Sequence, residues 1–137
     1  MEYNKKYTKL NKKTINAVRK AILEKRIFRV NSVERLEILD TLLSELSEIY
    51  GVDKPRLAVT TINEGYYDLM TNTIYLSNKL SLVTLLHEFK HGLQHLKHLQ
   101  NSENIARGWS ISLFSLASKK HFERAINKNL IIHQKEV

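Results

Sequence analysis

The chain has 137 residues, 42% hydrophobic and 26% charged, with a formal net charge of +8 at pH 7. That length and balance predict a single soluble domain with a modest core. There is no cysteine, which excludes disulfides, thiolate metal sites and thiol nucleophiles together and suits a cytoplasmic setting.

The charge is uneven. Residues 1–30 carry ten Lys or Arg against Glu2 and Glu24, so the remaining 107 residues are neutral overall. The chain therefore divides into a basic N-terminal arm or helix, 1–30, and one domain, 31–137. Such an arm suits nucleic acid or another acidic surface, and equally a solvated helix face. No apolar run or cleavage site follows the early lysines, so no signal peptide is expected. The uncharged stretch Gly108 to Ser118 falls far short of the ~20 residues that a membrane-spanning helix needs.

Residues 1–13 are expected to fray. Thr14 is placed to cap a first helix running to about Arg26, with Ile15, Val18, Ile22 and Leu23 inward. After the connector 27–30, Asn31 or Ser32 caps a stronger helix whose apolar stripe is Leu36, Leu39, Leu42, Leu43, Leu46 and Ile49. Gly51 ends it and Pro55 follows. The pattern then changes to β-branched alternation. Strands are expected over 56–62, 66–70 and 73–77, with turns at 63–65 and 71–72.

Ser81 is a good cap for the next helix, in which Leu82, Leu85, Leu86, Phe89, Leu93 and Leu96 recur at helical spacing. Within it stands His87-Glu88-x-x-His91, the HExxH pattern of zinc hydrolases. Residues four apart share a helix face one turn apart, so both imidazoles can reach one ion. Glu88 projects beside them, placed to act on the activated water as general base without being a ligand. A shuffled chain of this composition would show the pattern about 2 times in 100, which favours chemistry over coincidence. Beyond it, Asn101-Ser102 opens a helix from Glu103 with Ile105, Trp109, Ser112, Leu113 and Leu116 inward. Ser118 starts a last helix with Phe122, Ala125, Ile126 and Leu130 inward.

Two histidines leave a zinc site one protein ligand short. Glu103 is the nearest downstream acid, twelve residues after His91. It can reach the ion only if the motif helix breaks soon after Gly92, or if the turn at Asn101 folds the chain sharply back. In either case the motif helix must end before Leu99. A helix-start carboxylate is also favoured by the helix dipole alone. His95 and His98 continue the histidine series but are carried away along a straight helix, and Glu123 is the fallback on the last helix. The metzincin pattern would require Gly at 94 and His at 97, where this chain has Gln94 and Lys97. Arg107, one turn after Glu103, is placed to steady it or an oxyanion. Tyr66 and Tyr67 fall on opposite sheet faces, so one of them can line a cleft.

The order of helices, three short strands, HExxH helix and glutamate-bearing helix resembles the gluzincin metallopeptidases, most of all the small soluble minigluzincins. The segment Ser102-Glu103-x-x-Ala106-Arg107-x-Trp109-Ser110-x-Ser112-Leu113-Phe114 is similar to one in small HExxH proteins of phages and mobile elements, and distantly to the ImmA/IrrE peptidases. The resemblance covers about residues 33–126. It implies an α+β, minimal zincin-like fold and one zinc ion on His87, His91 and Glu103, with Glu88 as general base and acid. It also implies that strand 66–70 is the edge lying along a peptide substrate.

Three functions compete at this stage. The first is a zinc endopeptidase acting on peptide or unfolded protein. The second is a catalytically silent regulatory protein whose basic arm binds nucleic acid. The third is a latent peptidase, blocked by its own termini until a partner or a cut releases it.

Overall fold

The computed structural model describes residues 10–128. Most of the stretch expected to fray, and the expected inward position of Leu130, lie outside them. Asn11 rather than Thr14 caps the first helix, α1 (Lys12–Arg19): its Oδ1 accepts from the Thr14 amide and hydroxyl, both at 2.7 Å. Thr14 is buried, and its hydroxyl also meets the Tyr50 hydroxyl at 2.8 Å. A cap at Thr14 would have placed that hydroxyl at a helix end instead of in this core contact. The helix continues as a π-helical turn, Lys20–Glu24, and ends at Arg26 with φ +56°. This basic segment contributes Ala17, Val18, Ala21, Ile22 and Ile27 to the common core.

Asn31 caps α2 (Ser32–Tyr50), accepting from the Glu34 amide at 2.9 Å. Gly51 ends it in the left-handed region at φ +64°, with paired closing bonds from Gly51 N–H to Glu48 and from Val52 N–H to Ser47. Three strands follow: β1 (Arg56–Thr60), β2 (Tyr66–Asp68) and β3 (Thr73–Ser77). The expected strands 56–62 and 66–70 are each two residues shorter. The Asp68 carboxylate accounts for the second, because it accepts from Met70 N–H and the Thr71 hydroxyl and turns the chain early. The sheet order is β1-β3-β2, with β1 parallel and β2 antiparallel to β3. Thus β3 is the buried centre and β2 is an edge. Gly65 marks where the chain enters β2: a Cβ there would lie 2.6 Å from Thr84 Cγ2 and 2.8 Å from the Tyr75 carbonyl.

Ser81 caps α3 (Leu82–Leu96), accepting from the Thr84 amide at 3.1 Å. The Arg35 guanidinium holds the preceding Leu80 carbonyl at 2.9 Å, tying the start of this helix to α2. α3 is buried round most of its girth because it packs on β2 and β3 on one side and on α4 (Glu103–Ala117) on the other. Tyr50, Phe89 and Trp109 form one aromatic group in this layer, their ring centroids 6.1–6.2 Å apart. The last helix, α5 (Lys119–Asn127), starts at Ser118 as expected. α4 also meets α1 and α5, so it buries Ala106, Ser110, Phe114 and Ala117 besides Trp109 and Leu113. Leu116 and Ile126, expected inward, are therefore left 52% and 43% exposed, as is Leu23 at 52%.

The fold is α+β, in the element order expected from the sequence. Among the described residues no helix is long and apolar enough to cross a membrane.

Candidate metal centre

His87 and His91 leave α3 on one face, their rings 4.9 Å apart and edge to face. α3 runs on past Gly92 to Leu96 and then closes sharply. His98 takes φ +55°, with bonds from His98 N–H to the His95 carbonyl and from Leu99 N–H to the Gln94 carbonyl. This is the closure that Gly51 makes on α2, performed here by a residue with a side chain. The helix thus ends before Leu99, and the return of the chain through Asn101 brings Glu103 back over the two histidines.

The distances describe one cluster. His87 Nε2 lies 2.5 Å from Glu103 Oε1, His91 Nε2 lies 3.0 Å from Glu103 Oε2, and the two Nε2 atoms are 3.2 Å apart. Among the described residues this is the one group of three metal-ligating side chains whose donor atoms converge. An ion with tetrahedral bonds of ~2.0–2.1 Å has ligand atoms roughly 3.3 Å apart. The donor set, two imidazoles and a carboxylate, is one that holds catalytic zinc while leaving a fourth position free. The residues fit such an ion.

Orientation adds to that fit. His91 Nδ1 lies 2.9 Å from Gln94 Oε1 and 3.1 Å from Asn101 Oδ1. Two acceptors on that side require a proton on Nδ1, which leaves the Nε2 lone pair aimed into the cluster. His87 is held differently. Its Nδ1 is buried without a hydrogen-bond partner among the described residues, so no hydrogen bond on that side fixes its ring, while its Nε2 meets Glu103 and His91.

The electrostatics divide the acids into two kinds. Glu88 is buried, and its carboxyl is pushed up to about 7: desolvation is the main cause and Glu103 adds to it, against the lowering by His91 and by a hydrogen bond from the Tyr67 backbone. Partial burial would also raise Glu103, but the facing His87 and His91 outweigh it and hold that carboxyl below its ordinary value. Burial lowers His87, more than Glu103 restores, and the charge of Arg107 adds to the lowering. One acid is therefore poised near neutrality, while the other stays ionised beside two imidazoles.

Two clefts meet at this cluster and share Tyr66, Glu88, His91 and Glu103. One, of about 660 Å³, runs past Glu64, Lys79, Thr84 and Arg107. The other, of about 680 Å³, runs past Tyr67, Leu69, His95 and Leu99. Arg107 reaches the first cleft, though among the described residues no ion pair joins it to Glu103. Tyr66 stacks on Tyr75 at 4.6 Å and borders both clefts. The Tyr67 ring lies against Gly92, and its hydroxyl donates to Asn72 Oδ1 at 2.6 Å, so Tyr67 acts on the site through its backbone amide.

Of the alternative ligands, His95 lies against Tyr67 at 6.3 Å and His98 is the exposed closing residue, just past the helix on which it was expected. Neither joins the cluster. Glu123 lies on α5, 3.9 Å from Lys119. Sequence reasoning missed Gln94 and Asn101, the partners of His91. The signal was an amide three residues after the second histidine, on the same helix face.

Compared with known protein families, curated proteins and solved structures, the chain matches none. A functional reading therefore rests on the site.

Proposed function

We propose that this protein is a zinc-dependent endopeptidase, a small member of the gluzincin group, acting in the cytoplasm on extended or unfolded polypeptide. The observation that carries the reading is the convergence of His87, His91 and Glu103 with Glu88 buried beside them. A zinc ion held there would supply Lewis acidity, lowering the pKa of a water and polarising a carbonyl. Glu88 takes the proton as the water oxygen attacks the carbonyl carbon, and returns it to the amide nitrogen as the C–N bond breaks. A carboxyl pushed up to about 7 is suited to both transfers. Arg107, on the cleft wall, is the candidate to meet the carbonyl oxygen as negative charge develops. Clefts on both sides of the centre favour a chain passing through over one bound by its end.

The test combines metal analysis with cleavage. The dialysed parent should retain about one zinc per chain, and His87→Ala, His91→Ala and Glu103→Ala should each lose tight binding. Glu88→Gln should keep the ion but no longer cleave an unfolded protein. A parent that retains no zinc, or a Glu88→Gln variant cleaving at the parental rate, would refute the assignment.

One observation favours a second reading, a binding protein for nucleic acid. Residues 12–29 carry seven Lys or Arg against Glu24, and residues 119–128 carry four against Glu123. The fold joins these segments: Arg19 donates to the Leu116 and Ala117 carbonyls at the α4–α5 junction, and Phe28 packs on His121. Salt-sensitive DNA binding that survives Glu88→Gln, without cleavage by the parent, would select this reading. The termini on which a latent peptidase would depend lie outside the described residues.

A further inference from the structure

Gln94 is 2% exposed, and a buried amide is retained at little cost only when its donors and its acceptor are both used. Its Nε2 lies 3.2 Å from the Ser102 carbonyl, which can only accept. That contact decides which way the amide faces, because the NH2 group must point at Ser102. Oε1 is then the atom 2.9 Å from His91 Nδ1, and it also receives the Ser102 N–H at 3.4 Å. One side chain on α3 thus grips both backbone groups of the residue that caps α4 and, with the same oxygen, a ring nitrogen of His91. Ser102 directly precedes Glu103, and its hydroxyl accepts from the Ile105 amide at 3.2 Å, so its position sets where α4 begins.

We infer that Gln94 is a positioning residue of the metal centre, orienting His91 and, through Ser102, fixing the approach of Glu103. The inference rests on the metal-centre reading above. It explains how a ligand on α3 and a ligand on the following helix keep register across the turn at residues 97–102. His87 has no comparable partner on its Nδ1, so the site is anchored at His91. Asn101 Oδ1, 3.1 Å from the same nitrogen, is a second and more exposed acceptor.

The experiment measures zinc affinity by competition with a chelator, together with the thermal midpoint of the metal-free protein, in the parent and in Gln94→Met, Gln94→Glu and Asn101→Ala. Gln94→Met keeps the volume and removes both functions, and it should weaken zinc binding about 10- to 100-fold. Gln94→Glu keeps an acceptor for His91 but sets a second oxygen against the Ser102 carbonyl. It should melt lower than the parent and bind zinc less tightly than the parent but more tightly than Gln94→Met, because the acceptor for His91 stays while the hold on the Ser102 carbonyl is lost. Asn101→Ala, exposed and safe for folding, should weaken binding less than Gln94→Met, by at most roughly two- to tenfold. A Gln94→Met protein with parental zinc affinity overturns the inference, whatever its melting temperature. So does a Gln94→Glu protein as weak as Gln94→Met or, where Gln94→Met does not fold, one with the parental affinity. A parent that binds no zinc overturns the metal-centre reading and this role with it, an outcome distinct from a zinc-binding parent whose variants bind equally well.

Discussion

Replacing Glu88 by Gln in the metal-free protein should make it more stable, and increasingly so as the pH rises. Desolvation lifts this carboxyl from its ordinary 4.5 to about 7. The folded state therefore binds the proton more tightly than the unfolded state does. The associated stability is fully present below about pH 4.5 and is lost as the pH rises through about 7. A shift of that size amounts to about 3 kcal/mol at most. At pH 8 nearly the whole cost falls on the parent, whereas at pH 5 only about 1 kcal/mol does. Gln keeps an oxygen for the Tyr67 amide and has no charge to bury, so its advantage should grow by about 2 kcal/mol between the two values. For a chain of this size that corresponds to roughly 5–10 °C in the melting midpoint. The assay is thermal unfolding of chelator-treated parent and variant at pH 5 and pH 8. Zinc should shrink the difference, because a nearby cation favours the ionised carboxylate in the folded state. A gap between parent and variant that is equal at both pH values would refute the argument.

Three further outcomes follow from local geometry. His98→Gly should raise stability by about 1 kcal/mol in urea unfolding, since His98 holds φ +55° in a closure that favours glycine. Gly65→Ala should lower it by about 1–3 kcal/mol, because the new methyl meets Thr84 and the Tyr75 backbone inside contact distance, and a backbone carbonyl cannot swing away. Zinc at a hundredfold excess over its dissociation constant should stabilise the parent by about 2.7 kcal/mol and Glu103→Ala by far less at the same concentration, both read as shifts of the thermal midpoint.

What the sequence made legible is what is encoded locally. Ser81, Asn31 and Ser118 cap the helices assigned to them because each cap needs only its own hydroxyl or amide and the N–H three residues on. β3 has the expected bounds because its alternation is unbroken. What stayed hidden depends on partners far along the chain. The central place of β3 rests on its parallel pairing with β1, for which no turn chemistry gives a signal. Thr14 resembles a cap until Tyr50 is known to lie beside it.

The third member of the cluster shows the same division within a dozen residues. Elimination among acids pointed to Glu103, and rise per residue set the condition that the helix break at Gly92 or the chain fold back at Asn101. The structure takes the second route, and the role of Gly92 shows why the first was misleading. A glycine inside a helix reads as a weak point, yet here the helix runs through it undisturbed. The Tyr67 ring packs so closely that a Cβ there would stand 3.3 Å from the nearest ring carbon, tighter than ordinary contact. Gly92 therefore serves the packing of β2 against α3, and that close approach lets the Tyr67 amide reach Glu88. The reversal is made instead by His98, an exposed residue that takes the left-handed backbone without being glycine. Gln94 then holds the returning strand of chain by the backbone of Ser102. The placement of Glu103 thus depends on one unfavourable backbone angle and one buried amide, neither of which carries the chemistry that drew attention to the motif.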